Sequence, residues 1–231
     1  MTFMNPDQRG SRTFVTAVLL TLTGGYLDAY TYFVRGKVFA NAQTGNIIKL
    51  GIFAAQGDFH RCLDFLFPIL AFCLGVMCSL AIEEYFEGHK KPYSRRGVLL
   101  VEILCMIVIA FLPNTEFFDV LSNILVSFLC AMQMQTFQIF HKKVIATTVG
   151  TGNLRKGVES LYRSIRKKDP ASLKAAGEFF FILLMFVSGV ILGTLVSEVL
   201  SIRAILVPAC MLLAAVLHIT TVYRRFLREQ A

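Results

Sequence analysis

Charge is what this sequence has least of. Only 16% of its 231 residues are charged, where a soluble domain carries nearer a quarter. With 55% hydrophobic residues and a mean hydropathy of +0.63, that shortage excludes an ordinary soluble fold. Metal and redox spacings are missing too. Cys62, Cys73, Cys78, Cys105, Cys130 and Cys210 lie in or beside apolar runs and none forms a CxxC pair, so they read as small buried hydrophobes. His60, His89, His141 and His218 are scattered, without HExxH or a comparable ligand spacing. No nucleophile–base pair and no phosphate-cradling glycine loop stands out. The expectation is a protein that is not an enzyme and uses neither metal nor cofactor.

Long apolar runs are what is there. A hydrocarbon core about 30 Å thick takes roughly 20 apolar residues of helix. On that basis six spans are predicted, at Thr13–Phe33, Leu63–Tyr85, Gly97–Leu112, Phe117–Phe140, Ala176–Leu200 and Ala204–Tyr223. The fold class is therefore all-α, a polytopic membrane helical bundle forming one transmembrane domain over residues 1–231. Arg9 and Arg12 give the first run a signal-like front, but it continues for about twenty residues without a small-residue cleavage site, so it reads as a retained helix. Val38–Ala55 is apolar but interrupted by Asn41, Gln43, Thr44, Asn46 and Lys49. It is too polar to span alone and is predicted to be a re-entrant or interfacial half-helix.

The net charge of +8 sits in the gaps between apolar runs, which points to membrane topology rather than to nucleic acid. Placing both termini in the cytoplasm puts 18 of the 23 Lys and Arg residues inside. Arg35, Lys37, Lys49, Arg61 and Arg203 remain outside. An inner-membrane location follows. Within the inner loops, Thr151–Lys168 carries Leu154, Val158, Leu161, Tyr162 and Ile165 at helical spacing with Arg155, Lys156, Arg163 and Arg166 between them. This is the pattern of a basic amphipathic helix lying on anionic membrane lipids.

One tripeptide occurs twice, as Thr44-Gly45-Asn46 and Thr151-Gly152-Asn153. Its flanks agree: Asp64 aligns with Glu178, Gly75 with Gly189, Ser79 with Gly193 and Glu84 with Glu198. The halves, 13–112 and 117–223, hold three spans each. Consecutive repeats with an odd number of spans insert in opposite directions, so two inverted three-helix repeats are expected, with a short half-helix at each Thr-Gly-Asn. Gly75/Ser79 and Gly189/Gly193 are small-xxx-small pairs suited to close helix packing.

Gly24-Gly25-Tyr26-Leu27-Asp28-Ala29, Gly36-Lys37-Val38-Phe39-Ala40 and Thr44-Gly45-Asn46 with Gly51 resemble the signature of the YoaK-type membrane proteins. That bacterial family carries a domain of unknown function and about six helices, and it implies no substrate. The resemblance covers essentially the whole chain. It implies a Gln-Asn-Ala element in the second half. Here Gln133 keeps the glutamine, while Met134 and Gln135 replace the other two.

Asp28 lies deep in the first span beside Tyr26, where an ionised carboxylate costs about 2.5–3.5 kcal/mol. It is either a proton or cation site or a buried anchor tying the first and fourth spans together. Gln135 and Gln138 share a face of the fourth span, with Gln133 pointing elsewhere. Aligning the repeats sets Gln135 or Met134 opposite Asp28. Thr44 and Thr151 can cap the helices that follow, with Gly45 and Gly152 allowing close approach. Such half-helix starts are anion sites, to which Arg35, Lys37 and Lys49 outside, and Lys142, Lys143 and Arg155 inside, would add positive potential. A capped bend without ligand is the other reading. Glu102 is expected to pair with Arg95 or Arg96, and Glu178 with Lys174.

The expected function is transport or channelling of a small solute, an anion or polar metabolite, with proton coupling through Asp28. The path would pass Asp28, Tyr26, Gln133, Gln135, Gln138 and both Thr-Gly-Asn elements. The alternative is a membrane scaffold, lipid-interacting or sensor protein. Partners are membrane lipids, a small molecule or ion, and a second copy in a homodimer.

Overall fold

Without water, a chain in hydrocarbon must satisfy its backbone hydrogen bonds internally, which favours continuous helices. The computed structural model describes residues 13–89, 95–137, 139–140, 143–144 and 150–229. Within them lie α1 (Phe14–Val34), α2 (Gln43–Ala55), α3 (Phe59–Gly88), α4 (Arg95–Ile109), α5 (Glu116–Thr136), α6 (Gly150–Lys167), α7 (Pro170–Leu200) and α8 (Leu206–Arg228). Among the described residues, three helical runs are long and apolar enough to cross a membrane: Phe59–Glu87, Glu116–Thr136 and Pro170–Arg228. The last has 59 residues. As a straight helix it would be about 88 Å long. A 3₁₀ turn at Ser201–Ile205, where Ser201 has φ 50°, divides it into α7 and α8.

Several boundaries differ from the sequence expectation, each for a local reason. The fourth predicted span stops at Thr136 rather than Phe140, and Ile139–Phe140 pairs antiparallel with Lys143–Val144. The fifth begins six residues early, because the Asp169 carboxylate accepts the amides of Ala171 and Ser172, and Pro170 suits a first helical turn. Asp169 is held below the usual carboxylate range by the Ser172 hydroxyl and these amides. The half-helix begins at Gln43, not Val38, because Gly36 and Lys37 take left-handed backbone angles and reverse the chain after α1.

The bundle is built from two close pairs, α1 on α7 and α3 on α5. Glycines set both. A Cβ on Gly25 would lie 2.2 Å from the Phe186 carbonyl oxygen, and one on Gly75 would lie 2.4 Å from that of Phe128. At such places the backbones themselves touch. The short helix α2 lies on α3, and α6 lies on α7. Helix α8 packs against α1 and α4, and α5 against α4. The interior holds Leu20, Leu27, Leu99, Met106, Ile109 and Ile182. The outside is apolar as well: Met77, Leu104, Leu184, Ile191 and Val199 are all exposed. A helix that is apolar all round has its outer face in lipid.

The amphipathic helix is present as α6, and it has three faces. Asn153 and Gly157 are buried, with Gly157 against the Phe180 ring of α7. Leu154, Val158, Tyr162 and Ile165 stand exposed on a second face. On the charged third face, Arg155 Nε donates to Glu159 at 2.8 Å and holds that carboxyl below its usual range.

Candidate functional site

Asp28 sits in the middle of α1 and is 4% exposed. Its Oδ1 accepts the backbone amides of Asn41 (2.7 Å) and Ala42 (3.3 Å), the two residues before α2. The Asn41 side chain donates in turn to the Gly24 carbonyl at 3.1 Å. Asp28 therefore anchors α1 to the start of the half-helix rather than to the fourth span. The positive end of α2 is met by a carboxylate of this chain. Asp28 Oδ2 has no partner and borders a cavity of about 180 Å³ lined by Tyr32, Phe33, Phe39, Phe186 and Val190. Tyr26 turns elsewhere, donating to the Ala204 carbonyl at 2.8 Å and holding α1 to the 3₁₀ turn.

The first Thr-Gly-Asn works through its asparagine. Asn46 is fully buried, accepts the Phe39 amide at 2.9 Å, and donates to the Phe39 carbonyl at 2.7 Å and to Gln43 at 2.9 Å. The predicted Thr44 cap is not formed. The position before the helix is Ala42, and Thr44 is exposed inside it. Thr151, Gly152 and Asn153 repeat the order exposed, half-buried, buried in the first turn of α6. Replacing Asn46 by Ala strands both polar groups of Phe39 and should cost about 2–3 kcal/mol, read as a lower thermal midpoint of the purified protein.

Among the described residues, Arg35, Lys49 and Arg155, expected to favour an anion, are engaged within the protein. Arg35 is fully buried and donates to Tyr30, Asp119 and the carbonyls of Ile109, Leu112 and Pro113, at 2.9 to 3.2 Å. It joins the end of α1 to the end of α4 and the start of α5. Lys49 donates to the Lys37 carbonyl and lies 4.5 Å from the Tyr32 ring centre. Lys142 falls outside the described residues.

Helix α5 adds Asn123 and Ser127, which the sequence did not single out, to Gln133, which it did. Asn123, Ser127, Cys130 and Gln133 follow at helical spacing along one face, and all are at most 2% exposed. Asn123 Oδ1, Ser127 Oγ and both amide atoms of Gln133 lack a hydrogen-bond partner. The stripe is about 15 Å long. Near its middle the Cys130 thiol lies against the Asn41 side chain, within electrostatic range of Asp28 and Glu102. Glu102 pairs with neither Arg95 nor Arg96. It is fully buried in α4 and neither carboxyl oxygen has a partner, because helical geometry turns it inward, away from the aqueous end where the arginines begin the helix. Gln133, expected to point away, is the buried glutamine, whereas Gln135 is half-buried. Gln138 lies outside the described residues. The signal for the stripe was available as Asn and Ser at helical spacing in an apolar helix.

At its Asn123 end the stripe reaches a cavity of about 250 Å³ that Arg35, Asp64, Asn114, Glu116 and Asp119 also line. A second cavity, about 470 Å³, shares Asp64 and Glu116 and continues between α3 and α5 past His60 and Phe67. Among the described residues no three His, Cys, Asp or Glu side chains are placed to hold a metal ion.

The family model described as "Protein of unknown function (DUF1275)" matches residues 16–218. The chain belongs to this DUF1275 family. It is also similar to the UPF0700 transmembrane protein YoaK of Bacillus subtilis (strain 168), with 27% identity over 147 residues, 62% of this chain and 64% of that relative. The chain thus spans just under two thirds of that relative's length. No solved structure matches. With its apolar helices and lipid-like exterior, this DUF1275 member is a helical membrane protein.

Proposed function

We propose that this chain is a small inner-membrane transporter with six spans in two inverted three-helix halves. In this reading a polar solute passes along the seam between the halves by alternating access. The observation that carries it is the α5 stripe. A buried polar group without a partner costs about 1–3 kcal/mol, and Ser127, Gln133, Glu102 and Asp28 Oδ2 place several such groups together in the interior. Groups left unpaired in a dry bundle are ready to meet a polar solute or water as it passes.

The packing supports two related halves. Exchanging α1 with α5, α2 with α6, α3 with α7 and α4 with α8 turns the α1–α7 contact into α5–α3, α2–α3 into α6–α7, and α1–α8 into α5–α4, all of which exist. The α4–α8 contact maps onto itself. An uncharged or cationic solute suits the site better than an anion, since Asp28 already occupies the start of α2 and Asp64, Glu116 and Asp119 border the outer cavity.

The test is a thermal-shift screen of purified protein with small polar solutes, followed by uptake into liposomes. Asp28→Asn keeps an oxygen for the two amides and removes the charge. It should leave the thermal midpoint within a few degrees and reduce uptake by at least about tenfold. Unchanged uptake would make Asp28 an anchor only. If no solute stabilises the protein or moves, the transport reading fails and the scaffold or sensor alternative takes its place.

A further inference from the structure

Glu102 has a role that neither the Asp28 anchor nor the packing supplies. It is fully buried at mid-length in α4, and neither carboxyl oxygen accepts a hydrogen bond. The titratable groups near it are Cys105 on its own helix and Cys130 on α5, with Asp28 on α1 acting on the same thiol. Among the described residues, neither α8 nor the 3₁₀ turn sets a charge against it, and no cation compensates it. A bare carboxylate there would face hydrocarbon and sulfur with nothing to replace its water, a cost of several kcal/mol. Asp28 differs, because two amide donors and the start of α2 support its charge.

We propose that Glu102 is a proton-binding site of the membrane interior, loaded while the bundle is closed and dry, and able to exchange its proton when the α4–α5 seam admits water. The carboxyl O–H forms when a proton arrives from water and breaks when water takes it back, with no other reactant. The Asn123–Ser127–Cys130 face of α5 leads from the outer cavity toward this carboxyl and provides the route for that water. Asp28 is then the anchored member of the pair, and Glu102 the one that no hydrogen bond holds. The loaded state follows from burial alone, while the exchange step rests on the proposed movement of the halves.

Infrared spectroscopy of the full protein in liposomes at neutral pH tests both parts, because the C=O stretch of a protonated carboxyl is distinct from carboxylate bands. The wild type and Asp28→Asn should show such a band, and Glu102→Gln built on Asp28→Asn should lack it. Glu102→Met serves as the second loss variant if the glutamine protein does not fold. Transfer to D2O should shift the band over minutes to hours. A band that survives when both Asp28 and Glu102 are replaced, or that vanishes in Asp28→Asn, overturns the assignment. A band that never shifts in D2O overturns the exchange. Liposomes that take up no solute while the band behaves as expected would sink the transport reading alone.

Discussion

Arg35→Ala should lower the stability of this protein by about 3–5 kcal/mol, as breaking a buried ion pair from one side does elsewhere. The guanidinium is fully buried and joins three segments at this end of the bundle: the end of α1, the carbonyls closing α4, and Asp119 in the first turn of α5. Alanine takes the guanidinium donor from the Leu112 and Pro113 carbonyls and the positive charge from Asp119. It also frees the Tyr30 hydroxyl from its contact with Nε. Arg35→Lys keeps the charge but cannot reproduce a planar fork with five donors, so it should recover only part of the loss. The measurement is the midpoint of thermal or SDS-induced unfolding in detergent. A loss below about 1 kcal/mol, the worth of an exposed ion pair, would mean that Arg35 is not the clamp described.

Gly189→Ala is expected to disrupt the α1–α7 seam. Its Cβ would lie 2.2 Å from the Leu22 carbonyl oxygen and 3.0 Å from the carbonyl carbon. Both are backbone atoms in the middle of a helix, so no rotamer change relieves the contact and the two helices must separate. Overpacking costs about 1–3 kcal/mol where side chains can move, and this site belongs at or above the upper end. Gly177→Ala in the same helix is the control, because its Cβ meets nothing and helix propensity favours alanine by up to about 1 kcal/mol. Gly25→Ala should resemble Gly189→Ala. Since both open one seam, the double variant should lose less than the sum of the singles. Equal midpoints for the Gly177 and Gly189 variants would refute the close approach.

Apolar run length located the helices of the bundle, because the cost of exposing backbone in lipid acts on each segment independently. Thr44-Gly45-Asn46 and Thr151-Gly152-Asn153 pointed to α2 and α6 for a similar local reason, as each motif opens a helix in its own half. Asp28 was legible as buried because it stands alone in a long apolar segment. Its use was not legible. Only the reversal at Gly36 and Lys37 brings the amides of Asn41 and Ala42 back onto α1, thirteen residues after the carboxylate. The same limit explains Glu102. Two arginines six and seven residues earlier made an ion pair plausible in one dimension, whereas the rotation of α4 against α5 and α8 decided that the carboxyl faces inward.

Asp28 and Glu102 divide the matter between them. The sequence by itself determined that two acids lie within apolar helices, since hydrophobicity is a sum over neighbouring residues. Only the tertiary structure decided that one is held by two amides at a helix start and the other by nothing, since hydrogen-bond partners come from segments far apart in the chain.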